Sequence, residues 1–275
     1  MGVRPAVVAV LLLLPVVAAC SVPPTVPPPG PHEVATVPVP ASAGFGGGTV
    51  YYPADDPGPF GVVSLSPGFT ETEAAIQAWG PHLASEGFVV IAINTSNIFI
   101  FPDQRSTEQR QAIDYVVAQG GDPSSPLSGI VDANRTAVGG HSMGGGASLI
   151  SAAADPDIDA VVPLAPWNLV ASFPGVSAPT LILACQNDAI APVANHASPM
   201  YDSIPTAEKM FVSVAGGDHF CANTPEAVDG DIGTFATAFL HRWVDGDASA
   251  GQLLCGPDGP SQGPALNEVR DTCPF

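Results

Sequence analysis

Gly140-His141-Ser142-Met143-Gly144 decides how the rest of the chain is read. It follows a strand-like run at 135–139 and opens a small-residue helix at 145–154. In that strand–turn–helix setting, G-x-S-x-G predicts a serine on a sharp, strained turn with its hydroxyl raised above the sheet edge. The flanking glycines let neighbouring backbone approach with no Cβ in the way. The N-terminus of the following helix favours negative charge developing beside the serine. Ordinary glycine-rich turns also carry this pattern, so the reading depends on partners elsewhere in the chain.

Working outward, apolar runs alternate with helical patterns. Residues 49–52 and 60–66 read as strands. Residues 72–86 read as a helix with Ile76, Trp79 and Leu83 on one face. Residues 88–93 form an uninterrupted apolar run, as expected of a strand covered on both faces. A helix at 106–118 and a Pro/Ser/Gly loop at 120–132 precede the serine turn. Strands at 160–165, 180–184 and 209–214 follow it, with helices within 195–203 and from about 231 to 244. This alternation predicts an α/β fold, a mostly parallel central sheet with helices on both faces. The link at 166–179 is too short for an inserted cap domain.

The chain has 275 residues, with 26 acidic against 7 basic side chains and a formal net charge of −19. Such a surface repels nucleic acid and anionic membranes. Near the N-terminus, Arg4 and the apolar run 7–17 predict a signal peptide over 1–19, too short for a spanning helix. Val17-Ala18-Ala19-Cys20 resembles a bacterial lipobox, in which Cys20 is lipidated and tethers the chain to a membrane. Ordinary cleavage near Ala19 is the alternative. Either way the protein leaves the cytoplasm, secreted or lipid-anchored. Residues 20–44 are rich in proline and glycine and read as an extended tether. That leaves 45–275 as a single catalytic domain, expected to be a monomer.

Sheets of this kind hold their chemistry beyond the carboxyl ends of the strands. After the strand 180–184 comes Cys185-Gln186-Asn187-Asp188, and after 209–214 comes Gly216-Gly217-Asp218-His219. The order Ser142, Asp188, His219 is that of a nucleophile, acid and base on an α/β-hydrolase sheet. Asp218 is a rival acid, but it adjoins His219 and is badly placed to reach its ring. His82 and His241, rival bases, are expected on helix surfaces. His141 is expected to point away from Ser142. Two backbone N–H donors are needed for an oxyanion hole; Met143 and Phe69 are the candidates.

Cys20 aside, four cysteines remain, with three possible pairings. If Asp188 and His219 meet, Cys185 and Cys221 are brought together, and Cys255 and Cys273 are left to staple the tail. The spacing lacks the C-x-x-C pattern of a metal site. No metal and no cofactor are expected. Phe69, Met143, Trp167 and Ile190 would line a shallow, open, apolar cleft suited to a bulky or polymeric ester.

Several stretches together resemble the bacterial cutinases and poly(ethylene terephthalate) hydrolases, the polyesterase-lipase-cutinase group of α/β-hydrolases. They are Ser66-Pro67-Gly68-Phe69-Thr70, Trp79-Gly80-Pro81, Gly87-Phe88-Val89-Val90-Ile91, the serine turn, Ala165-Pro166-Trp167, Asn187-Asp188-Ala189-Ile190, His219-Phe220-Cys221-Ala222-Asn223 and Thr272-Cys273-Pro274-Phe275. The resemblance implies a triad of Ser142, Asp188 and His219, oxyanion donors at Phe69 and Met143, an aromatic clamp at Trp167 and a cleft wall at Ile190. It places His196 and Phe220 beside the substrate, where they look like those of ordinary cutinases. Residues 97–102 are more apolar than the family's usual loop. The expected activity is hydrolysis of carboxylic esters in polyesters such as cutin or synthetic polyesters, aromatic ones like poly(ethylene terephthalate) or aliphatic. A lipase or short-chain carboxylesterase is the alternative, and a tethered binding protein without turnover is a third reading.

Overall fold

A computed structural model describes residues 1–2, 30–257, 259–261, 263 and 265–275. The leader at 1–19 (all but its first two residues), Cys20 and the proline-rich stretch up to residue 29 lie outside the described residues. In chain order the elements are β1 (Val34–Val39), β2 (Gly48–Pro53), β3 (Phe60–Ser66), α1 (Trp79–Ser85), β4 (Val89–Ile93), α2 (Pro102–Gly120) and β5 (Val131–His141). They continue with α3 (Met143–Ala154), β6 (Ala160–Leu164), β7 (Thr180–Cys185), α4 (Ala197–Ser203), β8 (Lys209–Val214), α5 (Pro225–Val228), α6 (Asp231–Trp243), α7 (Gly251–Cys255) and β9 (Leu266–Asp271).

The strands form one sheet in the order β1-β2-β4-β3-β5-β6-β7-β8-β9. From β4 to β8 every pairing is parallel, while β1, β2 and β9 run antiparallel to their neighbours. Alternation along each strand divides the core in two. Val63, Leu65, Val90 and Ala92 face α1 and α6, where Leu83, Phe235 and Phe239 cover them. Val62, Val89, Ile91 and Ile93 face α2 and α3, under Ile113, Val116 and Leu149. With both faces covered, β4 is apolar and buried along its whole length, as expected of a parallel strand inside such a sheet. The buried Gln109 of α2 stitches this face, donating from Nε2 to the carbonyls of Ser64 and Gly139.

Three expectations need correction. The domain begins before residue 45: residues 34–39, assigned to the tether, form the edge strand β1, in register with β2 from Val34↔Pro53 to Val39↔Gly48. Pro38 is tolerated there because an edge strand need not donate from every residue. Because β1 runs parallel to β4, the chain enters at the amino ends of the parallel strands; His32 N–H donates to Ser85 O at the end of α1. Second, the single helix expected over 72–86 is broken into a 3-10 turn, Glu73–Ala75, and α1. Pro81 has no N–H for the carbonyl four residues back, but in the first turn of a helix starting at Trp79 none is required. Third, His82 and His241, expected on helix surfaces, are only partly exposed there: their side chains are 12% and 28% exposed. α7 and β9 carry no sequence signal strong enough to have been expected.

Candidate active site

The turn between β5 and α3 is strained as the sequence predicts. Ser142 has φ 55° and ψ −118°. Side chains at Gly140 and Gly144 would bring a Cβ within 2.3 and 2.0 Å of the Ser66 carbonyl, so β3 can lie this close only against glycine. The other non-glycine residues with positive φ among those described are Thr70 and Ala165, at 62° and 41°. Both lie in loops that follow β3 and β6, on the rim that carries Ser142, so the backbone strain is concentrated where the strands end.

The loops after β7 and β8 meet on the same rim. His219 Nδ1 is 2.6 Å from Asp188 Oδ2, and both side chains are almost fully buried. The other carboxylate oxygen of Asp188 accepts from the N–H of Ile190 and Ala191, at 2.8 and 2.7 Å. Burial pushes the Asp188 carboxyl upward, but the His219 hydrogen bond, these amides and the imidazole's charge outweigh it. The net result is a carboxyl held below its usual range. Asp218 is exposed and accepts from the Phe220 N–H, so it does not compete for the imidazole. Cys185–Cys221 is a disulfide that joins the two loops, and Cys255–Cys273 fastens α7 to the tail beyond β9.

His141 does more than expected. Its side chain is part of a bridge. Its Nε2 is 2.9 Å from the His219 carbonyl, and its ring centroid lies 4.6 Å from that of His219. Its Nδ1 meets both carboxylate oxygens of Glu71, and Glu71 Oε2 also accepts the Gly68 N–H at 2.5 Å. One carboxylate thereby links the loop after β3, the serine turn and the loop carrying His219.

The candidate oxyanion donors flank Ser142. Met143 is the first residue of α3, where an N–H has no partner within the helix. Phe69 follows Gly68, whose Cβ position lies 2.9 Å from Ser142 Cβ, and its N–H has no hydrogen-bond partner among the described residues. Trp167 N–H donates to the Ser142 carbonyl at 2.8 Å, and its ring lies 5.7 Å from that of His196. Burial pushes the His196 imidazole below its ordinary range. The rings of Phe220 and His219 are 5.4 Å apart in an edge-on contact. Ile190 and Phe220 are exposed, as is Phe69. The contacts join His219 to Asp188 and Phe220, and Trp167 to His196 and the Ser142 carbonyl, in loops that follow the parallel strands. The rival bases bond elsewhere: His82 to Thr237, and His241 to Asp245.

A strained serine and an imidazole oriented by a buried carboxylate stand on loops that follow parallel strands of one sheet. That set of groups suits acyl transfer. A family model described as PET hydrolase-like matches residues 21–274. Cutinase 2 of Thermobifida cellulosilytica is 43% identical over 235 residues, 84% of this chain and 86% of the relative. Cutinase cut1 of Thermobifida fusca is 43% identical over 235 residues, 84% of this chain and 71% of the relative. A bis(hydroxyethyl) terephthalate hydrolase of Streptomyces coelicolor is 40% identical over 249 residues, 89% and 77% of the two chains. On a fold and a serine turn of this kind, these matches decide the classification: the chain belongs to the PET hydrolase-like family of α/β-hydrolases.

Proposed function

We propose that this carboxylic ester hydrolase cleaves polyester chains at its open rim, with Ser142 as nucleophile, His219 as base and Asp188 as orienting acid. The observation that carries the reading is the 2.6 Å contact between His219 Nδ1 and Asp188 Oδ2. It leaves Nε2 to take the serine proton. Ser142 Oγ then attacks the ester carbonyl, and its proton passes to His219 Nε2. The oxyanion is held by the N–H groups of Phe69 and Met143. Collapse releases the alcohol, which leaves with the proton from His219, and an acyl-serine remains. Water, deprotonated by His219, attacks the acyl-serine; collapse frees the acid and returns the proton to Ser142.

The polyester reading draws on two supports. The relatives are named for cutin and terephthalate esters, and the rim is apolar and exposed at Phe69, Ile190 and Phe220. Export, with a leader at 1–19 and a lipid anchor at Cys20, is part of the proposal. Two disulfides suit an oxidising compartment. The test is product analysis from polyester films, emulsified triglyceride and soluble acyl esters, with Ser142→Ala as control. Release of acid monomers from at least one film by the wild type alone is expected. Turnover confined to soluble esters or triglyceride would give the site to a carboxylesterase or lipase instead.

A further inference from the structure

His141 is fully buried, and the chemistry above gives it no task. Both of its ring nitrogens face acceptors. Nδ1 lies 2.9 and 3.0 Å from the two carboxylate oxygens of Glu71, and Nε2 lies 2.9 Å from the carbonyl oxygen of His219. A neutral imidazole has one N–H and one lone pair, whereas an imidazolium has two N–H donors. A neutral His141 would set its lone pair against a carboxylate or a carbonyl, in a buried place where water does not soften the repulsion. Two protons are needed for both contacts to be hydrogen bonds.

The second proton could sit on the ring or on the carboxyl, and the surroundings favour the ring. Glu71 Oε2 also accepts the Gly68 N–H at 2.5 Å, and a hydrogen bond of this kind favours the carboxylate. Arg105 of α2 acts the same way, through its positive charge. Its buried guanidinium donates to the carbonyls of Ile98, Ile100 and Pro67 at 2.8, 2.9 and 3.0 Å, bracing the loop that carries Phe99 and Phe101. Glu108, also on α2, accepts from the Ser96 N–H. On the other side stands the His219 ring, 4.6 Å from that of His141, with Asp188 bonded behind it. The Phe220 ring, 5.3 Å from His141, carries no charge.

We infer that His141 is a positioning residue that works as an imidazolium: paired with the Glu71 carboxylate, it holds the backbone of His219 in place, and it lets go when the pair loses a proton on the alkaline side. The inference rests on His219 being the base. After that loss, Glu71 keeps the remaining N–H on Nδ1, and Nε2 turns a lone pair toward the His219 carbonyl. The contact becomes repulsive, and the loop carrying the base shifts relative to Ser142. A triad alone gains activity as pH rises and then levels off, because it needs a neutral imidazole. The pair adds an alkaline fall that the triad does not have.

The experiment compares the full chain with Glu71→Gln. The amide can accept the Gly68 N–H through its oxygen and donate to His141 Nδ1 through its nitrogen. A neutral His141 then still has Nε2–H for the His219 carbonyl, so the variant needs no second proton. Heteronuclear NMR with labelled histidine counts the protons on each ring. Near neutral pH, His141 should carry two in the wild type and one in Glu71→Gln. Turnover of a soluble acyl ester is then followed from neutral to alkaline pH. The wild-type kcat should fall about tenfold from its plateau, the worth of one hydrogen bond to the base loop, while Glu71→Gln should stay level over the same range. A single proton on wild-type His141 near neutral pH would overturn the inference, as would an alkaline fall that Glu71→Gln shares. So would a wild-type fall that tracks loss of ellipticity, since that limb would belong to unfolding. Failure of the triad reading shows elsewhere, in a His219→Ala protein that keeps full turnover whatever the proton count on His141.

Discussion

The carboxylate of Glu71 lies 2.9 and 3.0 Å from Nδ1 of His141, 70 positions later in the chain, and reaches His219 through that ring. The loop that supplies one candidate oxyanion donor and the loop that supplies the candidate base therefore share one carboxylate.

Glu71→Ala leaves His141 and the Gly68 N–H without their acceptor. Losing hydrogen bonds to a charged group should cost about 2–4 kcal/mol, read by urea unfolding at neutral pH. It should lower kcat about tenfold more than it changes KM, and Glu71→Gln should recover part of the loss.

The same carboxyl gives a pH dependence. Burial would raise it, but the His141 hydrogen bond, the charge on that ring, the Gly68 N–H and the charge of His219 together hold it below its ordinary range. A carboxyl lowered in the folded state stabilises fully above its unfolded value, near about 4.3, and loses that contribution as pH falls through the folded value. Asp188 acts in the same direction. Acid unfolding below about pH 4 should be steeper in the wild type than in Glu71→Ala or Asp188→Asn. Parallel curves would contradict this.

Asp188→Asn should lower kcat by about 10³–10⁴-fold, because the imidazole loses the partner that fixes its tautomer. Asp218→Asn should stay within about twofold, since that carboxylate caps only the Phe220 N–H. Esterase assays on both, with circular dichroism to verify folding, separate the two acids.

The two disulfides should differ in their effect. Replacing both members of either pair by serine should lower stability by about 2–4 kcal/mol, seen in calorimetry as a fall in Tm. Only loss of Cys185–Cys221 should also reduce kcat well below the melting range, because Cys185 and Cys221 flank the loops that bring Asp188 and His219 together.

Arg105 has its guanidinium pushed down to about 10, chiefly by burial and despite the opposing charges of Glu71 and Glu108. Arg105→Met should cost about 3 kcal/mol or more by leaving three carbonyls without their donor. Arg105→Lys should rescue little, since an ammonium does not reproduce a planar fork. Chemical denaturation would show it.

Much of this was legible because strong periodicity is local. The strands Phe60–Ser66 and Lys209–Val214 have the limits that their apolar runs suggest. The chain order of Ser142, Asp188 and His219 places all three on strand ends of a parallel sheet, so the contact between the last two follows from topology. What was hidden lacks local pattern. β1 carries Pro38, and β9 is polar, as befits edges. The Glu71–His141 bridge spans 70 positions with no motif of its own, and the brace under Phe99 and Phe101 depends on an arginine that composition would assign to the surface.

The entry of the chain beside Ser85, at the amino ends of the parallel strands, sets a polarity for the whole molecule. Ser142 lies at the opposite pole, past the carboxyl end of β5. If the upstream segment is fastened to an envelope, the reacting pole is the one turned outward, toward material too large to be taken in.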